Sequence, residues 1–222
     1  MIIHRLLCLI CGYVFGLLQT SYIYGRMNGI DIREHGSGNA GTTNALRVLG
    51  KKAGLVVFIG DLFKAVFCIL IVRTIMNNID PNNVNVYILY AGFGVILGHN
   101  FPFYLKFKGG KGIAATAGII LGFFDPIIII SCLLAFTLIV LFTRYVSVGS
   151  IVILLIFFFE YMIFSLNGKY SFDLNDTHSY KCMIESIVIV GVIAAMGIFR
   201  HRANIKRLIN HEENKIGNKK TA

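Results

Sequence analysis

The sequence predicts an all-α integral membrane protein, a single polytopic domain over 1–222 with seven transmembrane helices, the N-terminus outside and the C-terminus cytoplasmic. Three observations predict it: the composition, the lengths of the apolar tracts, and the one-sided distribution of lysine and arginine. Of the 222 residues, 56% are hydrophobic and only 14% charged, and the mean hydropathy is +0.72. A soluble domain carries about a quarter charged residues, so this chain has too little polar surface to coat a globule in water. Lipid is the solvent its composition fits.

A helical crossing needs about 20 apolar residues. Tracts of suitable character run over 3–24, 55–76, 84–98, 112–124, 127–142, 148–166 and 183–199, with a basic tail over 200–222. The first is long enough to span and leads into polar residues with no small-residue cleavage site. The fourth and fifth come from one long apolar run, divided at Asp125-Pro126. Proline removes a donor and restricts the residue before it, so the pair reads as a turn. The tract 112–124 is short for a bilayer core of about 30 Å. Cys8, Cys11, Cys68, Cys132 and Cys182 lie in or beside apolar stretches. The one C-x-x-C pair has no second pair to complete a zinc site, so packing explains these cysteines and no metal or cofactor is expected.

Charge sets the direction of the spans. With the N-terminus outside, segments 25–54, 99–111, 143–147 and 200–222 share one face and carry sixteen Lys and Arg, against four on the other. That is a positive-inside pattern, and it holds only if the chain turns at Asp125-Pro126. The net charge of +10 therefore follows from topology. Nucleic acid is not expected as a partner, because the basic loops are short, glycine-rich and without the stacking aromatics of a single-strand binder.

Four polar islands fall on the basic face. In EHGSGNAGTTNALRVLGKK, Gly36-x-Gly38-x-x-Gly41 has dinucleotide-turn spacing, but no strand precedes it, which excludes a Rossmann reading. Glycines also let backbone N–H groups turn inward around an anion. Here Gly38 and Gly41 alternate with Ser37, Asn39, Thr43 and Asn44, and Arg47 supplies a planar fork for phosphate oxygens. The second island, GHNFPFYLKFKGGKG, repeats the recipe with His99, Lys108, Gly109, Gly110 and Lys111, and opens into an apolar helix whose N-terminus favours an anion. It is not a Walker loop, since Gly112 follows Lys111. In RYVSVGS, Ser147 and Ser150 stand three apart and share a helical face. In FRHRANIKRLINHEENKIG, His201 and Asn204 do the same. Any one island is explained by turns and caps. Four together on one face predict a cytosol-facing site for a phosphorylated, partly apolar substrate. Within the spans, Asp61 and Lys64 pair at i, i+3, and Glu160 stands alone without an evident partner.

The islands together resemble the bacterial acyl-phosphate:glycerol-3-phosphate acyltransferases. The resemblance rests on GSGNAGTTNALRVLGKKAG, GDLFKA, GHNFPFYLKFKGGKGIAA, TRYVSVGS, RHRANIKRL and ENKIG in that order, and covers nearly the whole chain. It implies seven spans in the bacterial cell membrane, an outside N-terminus, a cytosolic active site, and phospholipid synthesis as the process served. The implied reaction moves a fatty acyl group from acyl phosphate to the 1-hydroxyl of glycerol 3-phosphate, giving lysophosphatidic acid and phosphate, with no thioester as direct donor. The enzyme that makes acyl phosphate is an expected functional neighbour. Thr42, Lys106 and Asn214 depart from the family's usual residues at positions on which the reading does not rely.

Acyl phosphate is already activated, so the site must hold two anions close together, orient a hydroxyl and stabilise the tetrahedral centre. Lys111 with Gly109 and Gly110 suits one phosphate, and Arg47 with Ser150 and Asn204 another; which takes which substrate stays open. Ser37 and Asn39 are candidate oxyanion donors. His201 is the candidate general base by pKa, and the resemblance adds the substrate's own phosphate as the other possible proton acceptor. The competing class is a transporter or flippase for a phosphorylated metabolite, which would place its binding groups near the bilayer midplane and show internal repeats. Neither is visible in this sequence.

Overall fold

The computed structural model describes residues 2–170 and 172–217; the end of the basic tail, 218–222, lies outside the described residues. Regular structure among them is entirely helical. Six segments are long and apolar enough to cross a membrane: Ile2–Met27, Lys51–Ile79, Pro81–Leu105, Pro126–Thr143, Val146–Leu166 and Thr177–Arg200. Their outward faces are greasy, with Leu6, Leu7, Ile10 and Val14 exposed on the first and Leu133, Leu134, Leu141 and Phe142 on the fourth. Exposed apolar surface on this scale belongs in hydrocarbon.

The first segment corrects the expectation of one continuous helix over 3–24. Helix α1 (Ile2–Gly16) stops, and α2 (Thr20–Met27) begins after a break. The carbonyls freed at the break find donors inside the protein. Gln19 Nε2 donates to Gly16 O at 3.3 Å and Lys64 Nζ to Leu18 O at 2.6 Å, while Gln19 Nε2 also ties the break to His99 O at 2.8 Å. Non-helical backbone at membrane depth is tolerated only when protein satisfies it in this way. The partners lie 46 and 80 residues away in sequence, so local pattern gives no sign of the break.

Helix α3 (Thr42–Leu49) is short and α4 (Lys51–Ile79) is the longest in the molecule. Helix α5 (Val84–Asn100) is buried along nearly its whole length. Helix α1 packs on α5 through facing small residues, Gly12 and Gly16 against Gly94 and Gly98. A Cβ on Gly12 would overlap Ala91 O, and one on Gly98 would overlap Tyr13 O. Small residues let the two backbones approach closely where lipid supplies no hydrophobic drive between helices.

Helix α6 (Ile113–Phe123) has 11 residues, about 16 Å at 1.5 Å per residue. It is buried against α4, where Gly118 meets the Leu62 carbonyl and Gly122 meets Ile69. The break predicted at Asp125-Pro126 is present. Phe124 takes a left-handed conformation, and Asp125 accepts from Ile127 N at 3.0 Å to cap α7 (Pro126–Thr143) with Pro126 in its first turn. Lys169 Nζ and Tyr170 Oη hold the same carboxylate at 2.9 and 2.6 Å. Helices α8 (Val146–Leu166), α9 (Thr177–Arg200) and α10 (Arg202–Ile209) complete the chain.

Asp61 and Lys64 form an ion pair inside the bundle, while Glu160 is held by a neutral hydroxyl and Arg73 by the carbonyls of Gly122 and Phe123. Lys64 Nζ lies 2.8 Å from Asp61 Oδ1, as the spacing predicts. Thr20 Oγ1 donates to that carboxylate at 3.1 Å, and Lys64 Nζ also reaches His99 Nδ1 at 2.9 Å. Glu160, left alone by the sequence, accepts from Ser131 Oγ at 2.7 Å across α7 and α8. At the end of the bundle away from the islands, Arg5 and Tyr90 hold Glu185.

Candidate functional site

All four islands meet at one end of the bundle around a cavity of about 480 Å³. Its first wall is the loop before α3. Asp31 caps the short turn Ile32–Glu34 and is pulled to about 2 by hydrogen bonds from the Arg33 guanidinium. Arg33 also donates to Leu105 O at 3.1 Å, bracing this loop on the second island. Gly36 and Gly38 have φ of +61° and +70°, the left-handed region where glycine carries no penalty. Asn44 then folds the loop over α3: its Oδ1 accepts from Ser37 N at 2.9 Å, and its Nδ2 donates to Ile32 O and His35 O at 3.1 and 3.0 Å. Ser37, Gly38, Asn39, Gly41, Thr42, Thr43, Asn44 and Arg47 line the cavity. Asn44 does so with its amide fully engaged by backbone, so it shapes the loop instead of offering donors.

The second wall is the loop from α5 to α6. The sequence reading gave Gly109 and Gly110 free N–H groups for an anion, and the structure corrects this. Gly109 N donates to Asn100 O at 3.2 Å and Gly110 N to His99 O at 3.1 Å. The same holds in the first island, where Gly38 N and Gly41 N are taken by His35 O and Asn39 O at 3.1 and 3.0 Å. The glycines serve close approach. A Cβ on Gly110 would land on His99 Nε2 and 2.6 Å from Ala40 O, and one on Gly109 would land on His99 O. Gly110 does not reach the cavity wall, whereas Lys108, Gly109 and Lys111 do. His99 is buried, lining the cavity from beside Gly110 while its Nδ1 is occupied by Lys64.

The remaining walls are the starts of α8 and α10 and the tail. Ser147 and Ser150 both face the cavity, as their spacing predicts, while Arg144 stays off the wall as the left-handed C-cap of α7. Lys111 Nζ donates to Asn204 Oδ1. Asn204 Nδ2, Arg207 Nε and Ser147 Oγ converge on Glu213 at 2.7, 2.7 and 3.1 Å. His201 Nδ1 lies 2.8 Å from Gly197 O; a carbonyl only accepts, so Nδ1 carries the proton and Nε2 is the acceptor.

Electrostatics make this an anion site. Among the described residues, Arg47, Lys108, Lys111, Arg200, Arg202 and Arg207 line it against two carboxylates, Asp61 and Glu213. Four helices, α3, α6, α8 and α10, begin on its wall, each without a side-chain cap. Each N-terminus presents about half a positive charge, and convergent N-termini are ready sites for phosphate. Burial, and next the Arg207 charge, lower the Lys111 ammonium to about 8. Burial, and next Lys111, lower His201 to about 4, so it is neutral at pH 7. Phe58, Phe107, Ile113 and Phe136 add an apolar flank. Sequence reasoning missed Arg200, Arg207 and Glu213. Arg207 follows Asn204 at helical i+3 spacing, a signal that was available; a lone acid in a basic tail gave none.

Comparison with known proteins identifies relatives of the whole chain. The family model described as glycerol-3-phosphate acyltransferase matches residues 6–211. A glycerol-3-phosphate acyltransferase of Clostridioides difficile is 39% identical over 219 residues, covering 95% of each chain. That of Bacillus subtilis is 37% identical, covering 95% of this chain and 96% of its own. The crystal structure of PlsY, an integral membrane glycerol 3-phosphate acyltransferase in its glycerol 3-phosphate form, superposes with a TM-score of 0.78 at 30% identity, covering 96% of both chains. The same enzyme's lysophosphatidic acid form gives 0.75 at 29% identity, covering 96% of this chain and 95% of its own.

Proposed function

The chain belongs to the glycerol-3-phosphate acyltransferase family, and we propose that it moves a fatty acyl group from acyl phosphate to the 1-hydroxyl of sn-glycerol 3-phosphate. The observation that carries this reading is the cavity itself: six cationic side chains and four helix N-termini around a space flanked by Phe58, Ile113 and Phe136. A phosphate-binding pocket joined to an apolar flank fits two phosphorylated reactants, one of them fatty.

In this reading Lys111 and Arg47 bind phosphate, with Ser150, Asn204 and Arg207 completing the cradle. Ser37 and Asn39, on a loop held by Asn44, donate to the oxygen that gains charge as the tetrahedral centre forms. The glycerol 1-oxygen attacks the acyl carbon, the bond from that carbon to the phosphate oxygen breaks, and the hydroxyl proton passes to the departing phosphate. The products are lysophosphatidic acid and hydrogen phosphate. Burial and Lys111 keep His201 neutral at pH 7, and in this reading its Nε2 accepts from the hydroxyl to orient it while the departing phosphate takes the proton. The walls contain Ser37, but no base adjoins it among the hydrogen bonds described, which disfavours a seryl intermediate.

The proposed topology has seven crossings, with α6 as a short one, the N-terminus outside and the cavity facing the cytosol of a bacterial cell. It rests on the sixteen-to-four bias of Lys and Arg. An enzyme making acyl phosphate in the same membrane system would supply the donor. The test separates catalysis from transport. Proteoliposomes given palmitoyl phosphate and labelled glycerol 3-phosphate are expected to convert the label to lysophosphatidic acid. Accumulation of unmodified label in the lumen would replace the enzyme with a transporter.

A further inference from the structure

Arg200 closes α9 and lines the cavity, yet the reaction above gives it no part. Its Nη2 donates to Gly109 O at 3.0 Å and Gly110 O at 2.7 Å. Its guanidinium carbon lies 5.4 Å from the centre of the Phe101 ring. Among the described residues it forms no ion pair. The N–H groups of the same two glycines donate to Asn100 O and His99 O at 3.2 and 3.1 Å. All four backbone polar groups of Gly109-Gly110 are thus fixed, two by the C-terminus of α5 and two by Arg200. Lys111 is the next residue. Glycines resist displacement poorly, having no side chain of their own to anchor them, so a grip on the backbone is the available way to hold this segment.

We propose that Arg200 is a positioning residue, which clamps Gly109-Gly110 against α5 and thereby sets where the Lys111 ammonium meets substrate phosphate. The inference deepens the acyl-transfer reading and rests on it. A guanidinium has five N–H donors and only one nitrogen grips the loop, so direct contact with phosphate is the competing role. The two roles differ in coupling. A clamp acts through Lys111, so losing both residues costs no more than losing Lys111. A separate ligand contributes independently, so the losses multiply.

The experiment compares wild type, Arg200→Ala, Lys111→Ala and the double variant, reading kcat/KM with palmitoyl phosphate and glycerol 3-phosphate. Arg200→Ala is expected to lose about 10- to 100-fold, the scale of a displacement near 1 Å at a reacting group. The double variant is expected within about twofold of Lys111→Ala. In parallel, hydrogen–deuterium exchange in the folded proteins is expected to accelerate in peptides covering 101–112 and not in those of α8. Multiplied losses, an unimpaired Arg200→Ala, or acceleration spread evenly over the bundle each overturn the clamp. If Arg200→Ala does not accumulate, Arg200→Met carries the same cycle, since it keeps an apolar stem against Phe101 and removes every donor. A wild type without acyl transfer sinks the functional reading alone, because the exchange measurement still judges the clamp.

Discussion

Replacing Lys111 with alanine removes the cation at the centre of the site. Two unit charges about 4 Å apart interact by about 4 kcal/mol at an effective dielectric near 20, and a phosphate beside Lys111 meets that condition because the ammonium is largely enclosed and bonded to Asn204. Arg47 and Arg207 stay in the cavity and recover part of the loss. Removal of a preorganised electrostatic donor costs about 2.7–4 kcal/mol in a well-studied hydrolase. The expected cost is therefore about 2–4 kcal/mol of transition-state stabilisation, or about 30- to 1,000-fold in kcat/KM. The assay is phosphate release from palmitoyl phosphate in the presence of glycerol 3-phosphate, with unfolding temperature as a control on folding. The pH profile supplies a second reading. In the free protein Lys111 loses its proton near 8, so wild-type kcat/KM falls as pH rises through that value. The fall disappears in Lys111→Ala, whose residual activity is flat there. Activity within threefold of wild type, or an unchanged alkaline limb, refutes the reasoning.

Arg47→Ala is expected to lose less, about 1.5–3 kcal/mol, with no change in unfolding temperature, because Arg47 is exposed and free of hydrogen bonds among the described residues; a loss confined to stability would contradict this. His201→Gln is expected to keep a flat kcat between pH 6 and 8, since His201 stays neutral down to about 4; an acidic limb near 6.5 that vanishes in the variant would restore it as general base. The same lowered value makes a stability prediction: the unfolded histidine binds its proton first, so unfolding temperature falls as pH drops from about 6.5 towards 4, and falls less in the variant. Gly110→Ala is expected to cost about 1–3 kcal/mol by overpacking, because its Cβ meets His99 Nε2 and Ala40 O, and to lower activity through Lys111; Gly168→Ala, with nothing within 4 Å but a φ of +75°, costs about 1 kcal/mol of stability and leaves activity intact.

Much of this arrangement is legible in the sequence because its causes are local. Apolar length marks the spans, Asp125-Pro126 marks its turn by cap and ring, and helical spacing brings Ser147 to Ser150 and Asp61 to Lys64. What stays hidden depends on partners distant in the chain. The break after Gly16 needs Gln19 against α5 and Lys64 from α4. The glycine loops look like open nests of N–H groups until α5 supplies the carbonyls of His99 and Asn100. Glu213 reads as a solvated acid, yet it sits among Ser147, Asn204 and Arg207 once the tail folds back. For the glycine loops the residue types point to the right region and tertiary contact decides the role; for the break and for Glu213, tertiary contact supplies the whole signal.

The central claim is that one cavity brings an acyl phosphate and a glycerol phosphate together for direct transfer. The decisive measurement follows purified protein with palmitoyl phosphate or palmitoyl-CoA as the only donor, with and without glycerol 3-phosphate. Lysophosphatidic acid and phosphate are expected in equal amounts from palmitoyl phosphate, and only when the acceptor is present. Product formed from palmitoyl-CoA alone, or phosphate released without acceptor, would contradict the account.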